Sequence, residues 1–260
     1  MNKTKEKNTP VKSYTTQVYI DFEAITNPFS KILKIPNSTP YCYTLGFKNP
    51  KGVFQSHTFV MDFRKNKDFY STLRQAIIRD IKRIDPSIKL KYVEFIGHNP
   101  VLEDECIKKL FPKHIVKPLI ENQRISLSLL TRKKFNNEYF REIKKIIDSS
   151  TSSKVIKNRI TGQNGAIASY VGFLLFCMDN KINTDKKFYI NIDRQLIISE
   201  LKEYSHDDVW KMEYVSKHKD QTQEWLNDIN HKREILKQIN ALGVDENLTI
   251  KELKEKIWTL

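Results

Sequence analysis

Four acidic residues stand where apolar periodicity makes an acid expensive: Asp21, Glu23, Glu103 and Asp208. Asp21 and Glu23 close the strand-like run Val18-Tyr19-Ile20-Asp21-Phe22-Glu23. Strand side chains alternate, so Val18, Ile20 and Phe22 share one face, and Tyr19, Asp21 and Glu23 the other. Two carboxylates on one face repel unless a cation reverses the sign of their interaction. Glu103 follows the turn His98-Asn99-Pro100 and opens a helical pattern. Its neighbours Asp104 and Glu105 have Lys108 and Lys109 one turn on, which suits a solvated face. Glu103 instead leads into Ile107 and Leu110, along the edge of the apolar face. A carboxylate aimed there needs a partner. Asp208 falls in the helical stripe Leu201, Tyr204, Asp208, Met212, Val215, whereas Asp207 lies in a polar stripe between Glu203 and Lys211. Hard oxygen donors of this kind suit Mg²⁺ or Mn²⁺, and a pair of such ions can clamp an in-line displacement at phosphorus.

These acids must be brought together by separate elements. Strand patterns run from Gln17 to Phe22, Tyr41 to Phe47, Val53 to Val60 and Tyr92 to Ile96, with a further strand expected near Ile125 to Leu130. The second and third flank Lys48-Asn49-Pro50-Lys51-Gly52, whose composition suits a hairpin. Helical patterns cover Phe69 to Ile84, a stretch starting at Pro100 with Asn99 as its cap, Glu138 to Ile147, Ala166 to Cys177, Arg194 to Lys217, Gln223 to Ile239 and Thr249 to Ile257. An early meander followed by helical crossovers predicts a mixed α/β sheet. The expected organisation is a disordered basic lead-in over residues 1–14, one domain over 15–220 and a helical extension over 221–260.

The acids also carry a resemblance. The Asp21-x-Glu23 strand, an acid after a strand-Gly-His-Asn turn, and Tyr204-x-x-x-Asp208 on a late helix resemble, in that order, the DEDD 3′–5′ exonucleases of the DnaQ-like superfamily. The tyrosine matches the DEDDy branch rather than the histidine branch. Most members have Asp where this chain has Glu103. A bacterial group of uncharacterised predicted nucleases carries Glu there, in an Asn-x-x-x-Glu pattern, together with features similar to Pro40-Tyr41 and to the Gly162–Ser169 turn and small-residue helix. The resemblance spans about Val18 to Val215 and implies a ribonuclease H-like sheet, an antiparallel meander plus parallel strands flanked by helices. It implies that Asp21, Glu23, Glu103 and Asp208 hold two Mg²⁺ or Mn²⁺ ions, with Tyr204 orienting or helping to deprotonate the attacking water. The implied activity is hydrolysis of single-stranded DNA or RNA from its 3′ end. Two alternatives stay open: a structure-specific endonuclease on the same fold, and a nucleic-acid-binding module of weak or no activity.

Charge points the same way. Lys and Arg outnumber Asp and Glu by 45 to 31, a net charge of +14, which favours a polyanionic partner. Arg132, Lys133, Lys134 and Arg141 interleave with Phe135 and Tyr139, a composition suited to a phosphate backbone and to stacking on bases; His98 and Asn99 are further candidate contacts. Three widely spaced cysteines form no metal-ligand or disulfide pattern, no secretory pattern precedes residue 14, and no apolar run is long enough to span a bilayer. A cytoplasmic setting without a membrane partner is the expectation.

Overall fold

The computed structural model describes residues 16–66, 68–121, 125–150, 154–160, 163–185, 187–241, 247 and 249–258. The basic lead-in lies outside them, as does Gly162. Five strands, β1 (Thr16–Ile25), β2 (Thr39–Lys48), β3 (Phe54–Val60), β4 (Val93–Gly97) and β5 (Val116–Pro118), form one sheet in the order β3-β2-β1-β4-β5. β1, β2 and β3 pair antiparallel, while β4 runs parallel to β1 and β5 parallel to β4. The β2–β3 turn is closed by Asn49, whose Oδ1 accepts from the amides of Lys51 and Val53 at 3.0 Å. Gly52 there has φ +76°, a conformation that suits glycine.

Ten α-helices accompany the sheet among the described residues: α1 (Phe29–Leu33), α2 (Phe69–Ile84), α3 (Val101–Leu110), α4 (Leu127–Thr131), α5 (Arg141–Ser149), α6 (Lys154–Ile160), α7 (Asn164–Asn180), α8 (Arg194–Lys217), α9 (Lys219–Ala241) and α10 (Ile250–Trp258). One face of the sheet, with Val18, Ile20, Phe22, Tyr41, Tyr43 and Leu45, packs on α2, α3 and α7 in the larger core. The other face is crossed by α8, where Tyr19 and Ile96 meet Val209, Met212 and Val215, with Leu127 and Leu130 of α4 and Leu226 and Ile229 of α9. Both faces of β1 are therefore buried, and an acid on the α8 side lies between sheet and helix rather than in open solvent.

Several elements depart from the expected layout. Ile125 to Leu130 is no strand: Ser126 caps α4, its Oγ accepting from Leu129 N at 3.2 Å, and Leu127 and Leu130 are buried at helical spacing. The fifth strand is β5, three residues long with two of them exposed, too short to leave a period-two signal. α5 starts at Arg141, not Glu138, because Phe140 sits in the left-handed region at φ +56°. Asn99 does not cap α3; it too is left-handed, at φ +49°, and the helix begins after Pro100 without a side-chain cap. α9 starts at Lys219 and sends Leu226 and Ile229 into the α8 layer, so the first part of the expected extension shares the core. Cys42, Cys106 and Cys177 are free and buried. Among the described residues no helix is long and apolar enough to cross a membrane.

Candidate active site

Asp21 and Glu23 project from the α8 side of β1, opposite Thr44 and Cys42 of β2. The pairing shifts register between Glu23 and Ala24, just past them, and resumes with Ala24 opposite Pro40, a local irregularity common beside functional sites. Thr44 in turn bonds Ser205 of α8 through their hydroxyls at 2.8 Å, which fixes the helix over this stretch of strand.

Glu103 arrives from α3. It is buried, and its Oε1 accepts from the backbone amide of Phe22, the residue between the two β1 acids, at 3.4 Å. Gly97 makes room for the approach: a Cβ there would meet Pro100 Cβ at 2.8 Å and Glu103 Cγ at 3.4 Å. Asp104 turns away, pairing with Lys108 at 2.5 Å and accepting from Val116 N at 3.3 Å. The inward acid of this triplet is Glu103, as its place on the apolar edge predicts.

α8 supplies the rest. Asp193 caps it by accepting from the amides of Gln195 and Leu196 at 2.8 and 2.9 Å. The helix then runs unbroken past Tyr204 and Asp208. The Tyr204 ring packs on Tyr139 and Phe140, with centroids 5.2 and 5.1 Å away. Asp207 faces elsewhere, accepting from the Tyr139 hydroxyl at 3.0 Å and lying 3.6 Å from His206.

The acids feel one another. Burial, then the charges of Glu23, Asp208 and Glu103, push the Asp21 carboxyl well above its ordinary range, against an opposing pull from Lys211. Burial, then Asp208 and Glu103, does the same to Glu23. Burial raises Glu103 to about 7, although the Phe22 amide opposes the shift. Asp208 is also raised by burial, with Lys211 as the main counterweight. Burial followed by the charges of Glu23, Asp208 and Asp21 holds the Tyr204 phenol well above 10. The hydroxyl therefore remains protonated near neutral pH and can orient a neighbour by donating a hydrogen bond.

Four carboxylates, Glu23 and Glu103 buried and Asp21 and Asp208 half-buried, match a hard divalent cation in donor type and in charge. Their spacing is looser than the sequence led us to expect. Among the described residues no three Asp, Glu, His or Cys side chains are gathered as a ready metal cage. Asp208 is instead paired with Lys211, whose ammonium sits 2.9 Å from its Oδ1. The sequence places Lys211 in a polar stripe with Asp207, yet its side chain is 0% exposed and its Nζ lies 4.7 Å over the Tyr139 ring. Its signal in the sequence was the i,i+3 spacing from Asp208, equally available as a pairing distance.

The expected nucleic-acid contacts divide. Arg132, Lys133, Lys134 and Arg141 are exposed. Phe135 is half-buried, edge-on to Tyr214 with centroids 5.6 Å apart, and Lys134 lies over Tyr214. Tyr139 is buried, with Lys211 over its ring, and presents no open face for stacking on a base. His98 donates from Nε2 to Ile125 O at 2.7 Å, and burial depresses its pKa, so it ties down the segment before α4 as a neutral ring. Asn99 Nδ2 points to the same carbonyl at 3.5 Å. His206 lies off the acidic face, beside Trp210.

No protein-family model, curated protein or solved structure matches this chain.

Proposed function

We propose that this chain is a divalent-metal-dependent nuclease of ribonuclease H-like fold, acting as a 3′–5′ exonuclease on single-stranded nucleic acid. The antiparallel β3-β2-β1 meander continued by parallel β4 and β5 supports the fold assignment. One observation carries the functional reading: the charges of Glu103 from α3 and Asp208 from α8 raise the pKa of both β1 acids, Asp21 and Glu23, and Tyr204 stands one turn before Asp208 beside them. A surface made only to bind a polyanion would gain nothing from such a cluster.

In this reading Asp21, Glu23, Glu103 and Asp208 hold the metal. Bound divalent ions would make a nucleophile of water at neutral pH and stabilise the departing 3′ oxygen. Glu103, near half-protonated at pH 7, must release its proton as metal enters, so metal affinity rises with pH through that range. Tyr204 donates a hydrogen bond that orients the attacking water, and its high pKa argues against its serving as the base. Exposed Arg132, Lys133, Lys134 and Arg141 follow the phosphate backbone.

Incubation with Mn²⁺ of end-labelled linear and of circular single strands, as DNA and as RNA, tests this directly. Ladders that shorten from the 3′ end while circles survive are expected. Cleaved circles would make the protein an endonuclease on the same site. Intact strands of every kind, despite binding, would leave only a nucleic-acid-binding module.

A further inference from the structure

Among the described residues Lys211 is the one lysine or arginine that is buried. A buried ammonium is costly unless opposite charge and polar contacts compensate it. Lys211 has such compensation: Asp208 Oδ1 at 2.9 Å, the face of Tyr139 at 4.7 Å, and the charge of Asp21, whose upward shift it opposes. Its backbone is fixed in the middle of α8, three residues beyond Asp208, and its side chain has no exposed surface by which to reach water. The ammonium cannot leave Asp208 for solvent without repacking Tyr139, which in turn packs on Tyr204.

A cation in that place has two effects. It occupies one oxygen of Asp208 that a divalent ion would need, and it repels any divalent ion shared between Asp208 and Asp21. Among the described residues the Glu23 and Glu103 carboxylates form no ion pair, and Glu103 is held by backbone amides, its own and that of Phe22 at 3.4 Å. We propose that the Lys211 ammonium is a resident cation that takes the place of one of the two divalent ions, so that the site admits a single ion, on the Glu23–Glu103 side. This rests on the metal-dependent reading above and narrows it from two ions to one.

The test counts Mn²⁺ bound to the full-length chain, by calorimetric titration and by electron paramagnetic resonance. One ion per chain with an isolated-ion signal is expected for the unaltered protein and for Lys211→Arg, which keeps the charge. Lys211→Met and Lys211→Gln, which remove it, should each take up a second ion and show spin coupling between the two. Two coupled ions in the unaltered protein would overturn the proposal while leaving metal dependence intact, and that result needs no variant to fold. An unchanged count of one in the folded Met or Gln variant would overturn it as well. No Mn²⁺ uptake by any form would remove both this proposal and the metal-dependent reading.

Discussion

At the scale of single residues, the acid whose behaviour is most informative is Glu103. Its carboxyl rises from an ordinary value of 4.5 to about 7 on folding, chiefly through burial. The folded state thus prefers the protonated form. Glu103 adds to stability fully below 4.5, and that contribution is lost as pH rises through about 7. In chelator, the melting temperature should therefore fall between about pH 5 and pH 8, by an amount worth on the order of 3 kcal/mol for this one group. Glu103→Gln keeps the shape and removes the titration, so its profile should be flatter over that window. Melts recorded at several pH values in chelator check this, and a Glu103→Gln profile as steep as the parent's would show that the other acids set the slope. Much of this residue was legible beforehand. Its place on the apolar edge of a helix set it apart from Asp104 and Glu105, each offered a lysine one turn away. Lys211 was not legible, because a lysine near two adjacent aspartates pairs with either, and only the packing of Tyr139 against Asp207 leaves Asp208 as its partner.

At the scale of elements, period and length decide what could be read. α2 and α8 match the expected bounds, Phe69–Ile84 and Arg194–Lys217, because each carries a sustained apolar stripe with clear stops. β5, α1 and α4 are three to five residues long, below the span at which any period shows, and they were missed or assigned to the wrong class. The small residues of α7 were visible, but their reason is tertiary. A Cβ at Gly172 would lie 2.5 Å from Tyr41 Cε1, and Tyr41 is fully buried with its hydroxyl donating to Ala168 O at 2.6 Å. That ring cannot yield without giving up its hydrogen bond. Gly172→Ala should therefore destabilise the fold by about 1–3 kcal/mol despite the better helix propensity of alanine. Gly165, in the same helix, has nothing within 4 Å of an added Cβ, so Gly165→Ala should be neutral or stabilising by up to about 1 kcal/mol. Denaturant melts of the two variants separate the effects, and equal stabilities would mean that α7 and β2 pack less tightly than their contact implies.

At the scale of the whole molecule, the question is what the +14 surplus does. The acidic site is drawn into the sheet–α8 seam, while Arg132, Lys133 and Lys134 stand exposed at the end of α4. These two regions should therefore separate in experiment. If the surplus serves backbone contacts, single-strand affinity falls steeply with salt, with a log–log slope of about −0.7 for each phosphate neutralised. Lys133 is partly engaged, 3.6 Å from Asp228, so Arg132 and Lys134 are the better pair to remove. Replacing both by Gln should make the slope shallower by about 1.4 and weaken all sequences alike. Asp21→Asn should abolish cleavage yet leave that slope unchanged, since its place is in the buried acid cluster and not on the basic surface. Fluorescence anisotropy of a labelled oligonucleotide across a salt series measures both variants. Affinity that stayed constant from low to moderate salt would reject the nucleic-acid partner, and the positive charge would then serve solubility alone.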